Sequence, residues 1–237
     1  MCARLSGDLT RIPHLVAFIS ILLGGCSVES RTPSIAPSPI ADPLLIDRSW
    51  LTGDPCPPPC WHGLVPGVST REQVMGTAPG LTFLDPESNV QTSAYFGRAG
   101  LGDDGLADLV TFACREPPGV PCAGFFLVDG SLVQIGIWPN YPVTYEEVID
   151  SAGQPDYVRI FRVAVEDPNS CDIAVFWRER RMRLFHRNYE DQALCRRSLG
   201  EGARIPHGLE VHEVYISQSD DFQGIPVVPW IGFLIED

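Results

Sequence analysis

Histidines and carboxylates are the side chains of this chain that could carry acid–base catalysis, and the histidines lack a catalytic spacing. His207 and His212 lie five positions apart, which suits paired ligands on neither a helix nor a strand. His186 is predicted to lie partly buried on a strand. The sequence contains neither a Gly-x-Ser-x-Gly nor a His-Glu-x-x-His motif. We therefore predict that the chain is not an enzyme, with a hydrolase that uses two of the 30 acidic residues as the alternative.

All 17 basic residues of the 237-residue chain are arginine, and this excludes chemistry that depends on lysine. Lysine is required for an enzyme Schiff base, for a phosphate-binding P-loop and for a Ser-x-x-Lys nucleophile pair. The formal net charge of -13 also lacks the basic footprint that binding to nucleic-acid phosphates requires. We expect neither a nucleic-acid partner nor a cofactor.

Arginines are concentrated between residues 157 and 204, where they outnumber the acids. Side chains alternate between two faces along a strand, so Arg181, Arg183 and Arg187 are predicted to point the same way, together with Phe185. This binding face could contact anionic lipid headgroups, a cell-wall polymer or the acidic groups of an envelope protein. The alternative is a solvated face whose arginines pair with the chain's own acids. The ten arginines of this stretch are Arg159, Arg162, Arg178, Arg180, Arg181, Arg183, Arg187, Arg196, Arg197 and Arg204.

An apolar run over residues 15–25 precedes Cys26. Its 11 residues are too few for a membrane-spanning helix, which needs about 20, and are typical of a signal peptide. Leu23-Gly24-Gly25-Cys26 resembles the bacterial lipobox, which implies cleavage before Cys26 and a lipid on its sulfur. We therefore predict a signal peptide over residues 1–25, a Ser/Pro-rich tether over residues 26–48, and a protein held outside the cytoplasm on a bacterial membrane by its lipid. The alternative is an ordinary secretory signal with a chance cysteine.

Six further cysteines, outside the cytoplasm, predict a set of disulfides. Cys56 and Cys60 enclose three prolines, which as an extended polyproline helix would hold the two Cα atoms roughly 12 Å apart. A disulfide needs them within about 7 Å, so this pair requires a turn or a cis proline, or each cysteine pairs elsewhere. The pairs that we favour on sequence proximity are Cys114–Cys122 across a short loop and Cys171–Cys195 across a hairpin.

Two segments could hold a cation, and we favour neither. Cys56, Cys60 and His62 could bind zinc, but the sequence offers no evident fourth ligand. The acidic loop Asp103–Asp108 could bind calcium through its oxygens. It lacks the glutamate that an EF-hand places at its twelfth position, so a turn before a strand is the favoured alternative.

Two capping boxes predict two short helices, because in each a hydroxyl residue is followed three positions later by glutamate. The boxes are Ser69…Glu72 and Thr144…Glu147. Asp129-Gly130 between two apolar runs predicts a tight hairpin, since a type I′ turn takes both residues at positive φ. We predict an α+β fold of two tandem helix-plus-antiparallel-sheet repeats, over residues 49–138 and 139–237. The predicted strands span residues 91–96, 106–114, 124–128, 132–138, 157–165, 171–177, 182–187 and 209–217.

Residues 61–72 resemble the entry motif of a family of bacterial lipoproteins of unknown function, Cys-Trp-x-Gly-aliphatic-x-Pro-Gly-x-Ser/Thr. Residues 144–156 resemble the second unit of that family, and residues 229–233 resemble its Pro-Trp-x-Gly ending. More loosely, each unit is similar to the SmpA/OmlA and beta-lactamase-inhibitor-protein group, although Ala78-Pro79-Gly80 stands where the pattern has Gly-x-Pro.

This resemblance implies helix pairs packed on antiparallel sheets and a role in binding other proteins, and it carries over no catalytic residue. We therefore predict a binding or scaffold module that is anchored by lipid outside the cytoplasm. Inhibition of another enzyme is a further alternative, by analogy of fold alone.

Overall fold

The computed structural model describes residues 45–95, 106–161, 170–190, 195, 203–218 and 227–233. The predicted signal peptide, Cys26, and the acids Asp103 and Asp104 lie outside these residues. Three of the ten clustered arginines, Arg162, Arg196 and Arg197, also lie outside them. Within the described ranges, no helix is long and apolar enough to cross a membrane.

Ten strands form a single mixed sheet in the part of the chain that the structure describes. They are β1 (Val90–Tyr95), β2 (Leu106–Ala113), β3 (Pro121–Val128), β4 (Ser131–Ile137), β5 (Tyr157–Phe161), β6 (Cys171–Trp177), β7 (Met182–Tyr189), β8 (Ala203–Ile205), β9 (Glu213–Ser217) and β10 (Val228–Phe233). Their order across the sheet is β1-β2-β3-β4-β9-β7-β6-β5-β10-β8. Neighbours are antiparallel except β10 and β8, which are parallel. Because β9 lies between β4 and β7, strands from both predicted repeats belong to one sheet.

The short helices whose bounds the structure describes are α1 (Ser49–Thr52), α2 (Arg71–Thr77) and α3 (Tyr145–Ala152). A single 3₁₀ turn, Ala78–Gly80, continues α2. Its proline lacks the N–H that another helical turn would need, so α2 ends here. The fold is therefore mostly sheet, with few helical residues beside it.

Helix α3 begins at the capping box that the sequence predicts. The Thr144 hydroxyl accepts a hydrogen bond from the Glu147 backbone N–H, and the Glu147 carboxylate accepts one from the Thr144 N–H. These two bonds satisfy donors that have no partner inside the helix. The glycine after α3, Gly153, has a φ of 82° and ends it as expected.

Helix α2 begins one residue later than predicted, so the box Ser69…Glu72 was wrong. Its cap is Thr70, which exchanges hydrogen bonds with Gln73. Ser69 is buried, and its hydroxyl already accepts the N–H of Val65 in the preceding turn. Two adjacent hydroxyl residues, Ser69 and Thr70, both fit the capping pattern. The preceding turn engages the Ser69 hydroxyl, so Thr70 is the one that caps the helix.

The two capped helices are joined to the sheet by the same set of backbone contacts. Each cap residue forms an isolated β-bridge with a residue at or just before a central strand. The first helical N–H then donates to the carbonyl before the bridged residue, and the N–H after the bridged residue donates to the carbonyl before the cap. The contacts of α2 are Thr70 with Ser131, Arg71 to Gly130 and Leu132 to Ser69, and those of α3 are Thr144 with Glu210, Tyr145 to Leu209 and Val211 to Val143.

The predicted hairpin and most strand positions are confirmed. Asp129 and Gly130 have φ values of 48° and 77°, and they join β3 to β4. Strand β6 has the predicted bounds. Strand β9 begins later than predicted, because Leu209 and Val211 bond to the start of α3 instead of entering the ladder. Strands β8 and β10 were not predicted.

Three disulfides confirm the predicted oxidation of the six cysteines. Cys114–Cys122 and Cys171–Cys195 have Cα–Cα distances of 4.8 Å and 5.5 Å. Cys56 and Cys60 are also bonded, with their Cα atoms 5.5 Å apart, and the Pro58–Pro59 peptide bond between them is cis. The zinc alternative at these two cysteines is therefore wrong, since their sulfurs are bonded to each other.

The hydrophobic core lies on one face of the sheet, where the helices pack. Its buried members from the helices include Trp50 on α1, Val74 on α2 and Val148 on α3. The strands contribute alternate residues to the same cluster. Examples are Val110, Phe125, Ile135, Val175, Leu184 and Val214.

Candidate binding surface

The opposite face of the sheet carries a continuous row of aromatic and charged side chains at its centre. Along β7 and β9, buried Leu184, Val214 and Ile216 belong to the core. Because side chains alternate, the residues between them point away from the helices. We call this surface the open face. It comprises Phe126 on β3, Gln134 and Gly136 on β4 with Trp138 just after it, Arg183, Phe185 and Arg187 on β7, and Glu213, Tyr215 and Ser217 on β9.

Aromatic rings pack edge to face along the open face. Tyr215 is at the centre, with its ring centroid 5.5 Å from that of Phe185 and 6.5 Å from that of Trp138. Glycines beneath the rings make this packing possible. A Cβ at Gly124 would lie 2.9 Å from the Trp138 ring, and one at Gly136 would lie 3.2 Å from the Tyr215 ring. The rings therefore rest on the backbone and remain half-buried rather than covered.

Arg187 is neutralised by the chain's own acids. Its guanidinium bonds to Asp172, which is only 2% exposed, and to Glu213. It also lies 4.5 Å from the centroid of the Phe185 ring. Burial alone would lower the pKa of Arg187, but the hydrogen bonds to the two carboxylates outweigh it and raise that pKa. Arg187 thus stabilises the face internally.

Arg183 lacks such a carboxylate partner among the described residues. Its Nη2 donates to Gln134 Oε1 at 2.7 Å, and its guanidinium carbon lies 5.0 Å from the centroid of Tyr215 and 5.8 Å from that of Phe185. Its Nε–H is buried with no hydrogen-bond partner in the described structure. Burial lowers the pKa of Arg183 to about 10, although the neighbouring Tyr215 and Glu213 oppose the shift. The group remains protonated at neutral pH but is poorly satisfied.

Arg181 does not share this face, so the prediction that all three arginines point one way was wrong. Arg181 precedes β7 in the turn from β6, with a φ of 50°, and the strand alternation begins only at Met182. Its side chain is exposed and donates to the carbonyl of Gln218 at 2.8 Å.

Two histidine rings contact each other at a tilt of 30° beside the end of the open face. The ring centroids of His186 and His212 are 4.3 Å apart. His186 Nδ1 bonds to the Glu210 carbonyl at 2.8 Å, and His212 Nδ1 accepts the backbone N–H of Arg187 at 3.1 Å. His186 is therefore the partly buried strand residue that the sequence predicts. The exposed His207 bonds instead to Glu146 Oε1 at 3.1 Å.

A second polar cluster, which we call the N-terminal clamp, consists of Asp47, Ser49, Trp61 and His62. Asp47 is 8% exposed, so the last residues of the predicted tether belong to the fold. Its carboxylate accepts the Ser49 N–H at 3.0 Å, the Trp61 indole N–H at 2.8 Å and the His62 Nε2–H at 3.1 Å.

The clamp contains the residue types of a serine–histidine–aspartate triad in a geometry that does not suit one. His62 uses the same nitrogen, Nε2, for Asp47 Oδ1 and for the Ser49 hydroxyl, which lies 3.0 Å away. A triad needs the carboxylate on one ring nitrogen and the nucleophile on the other. A ring nitrogen that carries the hydrogen donated to Asp47 has no free lone pair, so His62 Nε2 cannot accept the proton of the Ser49 hydroxyl. The cluster therefore holds the chain in place and does not activate Ser49.

Metal ligands do not converge in the described part of the chain, where no group of three or more His, Cys, Asp or Glu residues is placed to hold an ion. The acids Asp103 and Asp104 of the predicted calcium loop lie outside that part. Comparison with known proteins found no matching family model, no matching curated protein and no matching solved structure.

Most of the open face was not predicted from the sequence. Arg183, Phe185 and Arg187 were predicted to share a face because they alternate on one strand. Tyr215 alternates with Val214 and Ile216 in the same way, and this signal was present in the sequence. The position of β9 between β4 and β7, which brings Gln134 and Trp138 to the cluster, has no local signal.

Proposed function

We propose that this protein is a lipid-anchored extracytoplasmic binding module, which contacts an envelope protein through the open face and catalyses no reaction. The lipobox-like sequence before Cys26 supports the anchor. The three disulfides support an oxidising compartment, where such bonds form and persist.

The observation that carries the proposal is the half-buried aromatic and arginine row on the open face. Tyrosine, tryptophan and arginine are the residues most enriched at the centres of protein interfaces, and charged residues there are few. Trp138, Tyr215 and Arg183 form such a centre. Their rings are already fixed by packing on glycines, so little side-chain entropy would be lost on binding.

Charge favours a protein partner over an anionic membrane or wall polymer. The chain has a formal net charge of -13, and its field repels an extended array of like charges. Arg187, the second cation of the face, is already compensated by Asp172 and Glu213. A protein can present one local acid among apolar groups, which this surface suits better.

The geometry of the N-terminal clamp supports a non-catalytic role, because His62 cannot relay a proton from Ser49 while bonded to Asp47 through the same nitrogen. The alternative function, a carboxylate-dependent hydrolase, requires two acids that face each other in one cleft. Among the described residues, Glu213 on the open face and Asp172 beside it are both bonded to Arg187, and this ion pairing does not suit that chemistry.

We also propose that the fold is built from two tandem repeats. The identical bridge and hydrogen-bond pattern of Thr70 and Thr144 supports it. So does the strand order, in which β4 and β9 meet at the centre, with β3, β2 and β1 following outward on one side and β7, β6 and β5 on the other, before β10 and β8 complete the sheet. The lipoprotein resemblance of the two capped segments agrees with this arrangement.

Site-specific photocrosslinking in native envelopes tests the proposed function. A benzoylphenylalanine at Phe126, a half-buried open-face position, is expected to give a discrete protein adduct. The matched control places it at Glu72, which is exposed on α2 beside the other face. Equal adducts from both positions, or an adduct from Glu72 alone, would contradict a contact through the open face.

A further inference from the structure

Arg183 is the group of the open face whose hydrogen-bonding capacity is least used. A guanidinium has five N–H donors, and this one makes a single hydrogen bond within the described structure, to Gln134. Its Nε–H is buried and unpartnered. A desolvated cation without a carboxylate destabilises the fold unless something else compensates it.

The surroundings hold this cation in one orientation. Gln134 is 2% exposed, and its Oε1 accepts both the Arg183 Nη2–H and, at 3.2 Å, the Ser217 hydroxyl. The rings of Tyr215 and Phe185 flank the guanidinium. Such a fixed planar fork matches a carboxylate, which accepts two parallel N–H bonds.

The balance of charge sets the ligand's charge. Arg183 and Arg187 contribute two positive charges, and Asp172 and Glu213 contribute two negative charges to the same region. A phosphate dianion would be repelled by both carboxylates, and only Arg183, the cation without a carboxylate partner in the described structure, would attract it. A single carboxylate carries half that charge and fits the one cation that has no acid of its own.

We propose that Arg183 binds a carboxylate that a partner protein presents beside an aromatic side chain, with Trp138 and Tyr215 contacting that ring. This inference rests on the proposed function, since it names the chemistry of the partner at the open face. It also predicts an unusual pairing of effects. Removing Arg183 weakens binding of the carboxylate ten- to a hundredfold and leaves the fold as stable as before or more so, because an unsatisfied buried charge is removed.

The probe is the acetylated and amidated pentapeptide Gly-Phe-Asp-Phe-Gly, titrated calorimetrically into the full mature protein in neutral detergent. Its matched control replaces Asp by Asn. The Asp peptide should bind and the Asn peptide should bind roughly ten- to a hundredfold more weakly, as expected for loss of a charge-assisted hydrogen bond.

The protein variants are Arg183→Gln and the matched control Arg181→Gln, which removes an exposed arginine two residues away. Arg183→Gln should weaken the Asp peptide by the same ten- to a hundredfold and leave the Asn peptide unchanged, while its melting temperature stays level or rises. Arg181→Gln should bind the Asp peptide within about twofold of the parent. If Arg183→Gln fails to fold, Arg183→Met takes its place.

Three outcomes would overturn the inference: equal binding of the two peptides, equal effects of the two variants, or a preference of Arg183 for inorganic phosphate or for vesicles with 30% anionic lipid over the Asp peptide. Self-association by gel filtration that Arg183→Gln abolishes would make a second copy the occupant and would also overturn it. An open-face crosslink at Phe126 without peptide binding refutes the carboxylate alone and leaves the proposed function intact.

Discussion

The N-terminal clamp and the open face are both polar clusters beside aromatic rings, and they differ in how completely their donors are satisfied. In the clamp, three N–H groups converge on the single carboxylate of Asp47. On the open face, Arg183 makes one hydrogen bond and leaves a buried N–H unpaired in the described structure. A fully satisfied cluster stabilises the fold, whereas an incompletely satisfied one marks where an external group can bind.

The clamp also has a clear mechanical role. It fastens the first residues of the fold to the loop that contains Trp61, and Tyr141 adds a hydrogen bond from its hydroxyl to the Asp47 carbonyl at 2.8 Å. Around Arg183 the described part of the open face has one side-chain hydrogen bond from the arginine itself, to Gln134, and no buried carboxylate on which several donors converge. Substitutions in the two clusters should therefore affect different properties.

The largest effect is expected from Asp47→Ala. It leaves the Trp61 indole N–H and the Ser49 N–H without their acceptor in a buried site, and the free energy of unfolding should fall by about 3–5 kcal/mol. Urea denaturation measures the change. Asp54→Ala, at an exposed acid close by in the chain, is the control and should stay within about 0.5 kcal/mol of the parent. If both variants lost the same free energy of unfolding, the proposal that the clamp stabilises the fold through Asp47 would be wrong.

A smaller loss is expected from Arg187→Gln, within the open face itself. Asp172, which is only 2% exposed, would lose its ion pair with Arg187, so the free energy of unfolding should fall by about 2 kcal/mol. Arg183→Gln, four residues away on the same strand, should leave the free energy of unfolding unchanged in the same urea assay. If Arg187→Gln were harmless, or if both variants lost equal stability, the contrast between a paired and an unpaired arginine would be wrong.

These contrasts were only partly predictable from the sequence. The Asp129-Gly130 hairpin, the box at Thr144 and the disulfides depend on residues close in the chain, so their signals are local. Ser69 and Thr70 both fit a cap, and only the packing of the preceding turn decides between them. Arg181 shows the same limit, because it is the last residue of the turn before β7, and a shift of one position in the strand start changes which side chains share a face.

The open face as a whole was less predictable than its single strands. Gln134 reaches Arg183 only because β9 pairs with both β4 and β7. That pairing joins residues far apart in the chain, and nothing in a local pattern specifies it. The clamp was missed for the same reason, since Asp47 was assigned to the tether and Trp61 to a motif.

A moderate, pH-dependent effect on stability is expected from the contacting pair His186 and His212. Burial lowers the pKa of His186, the hydrogen bond to the Glu210 carbonyl opposes this, and the facing His212 lowers the pKa further. The unfolded chain then binds more protons than the folded one below the ordinary value of about 6.5. Stability should be full above that pH and fall as the solution becomes more acidic. His186→Gln should flatten this part of the profile, and the exposed His207→Gln should not.

The smallest predicted effect is that of salt on binding. Raising sodium chloride from about 0.05 M to 0.5 M should weaken the Asp pentapeptide by roughly threefold, because a half-buried charge pair is only partly screened. The Asn peptide should show no such change. A fall of more than tenfold in the affinity for the Asp peptide would indicate long-range attraction between exposed charges instead of a contact at Arg183.

The most direct test of the account follows the indole N–H signals of the five tryptophans by ¹⁵N NMR while the Asp pentapeptide is added to the mature protein. Trp138 lies on the open face and Trp61 in the clamp, so one spectrum compares the two regions. We predict that the Trp138 signal moves with peptide concentration and that the Trp61 signal stays fixed. Movement of Trp61 with Trp138 unchanged would contradict the assignment of binding to the open face.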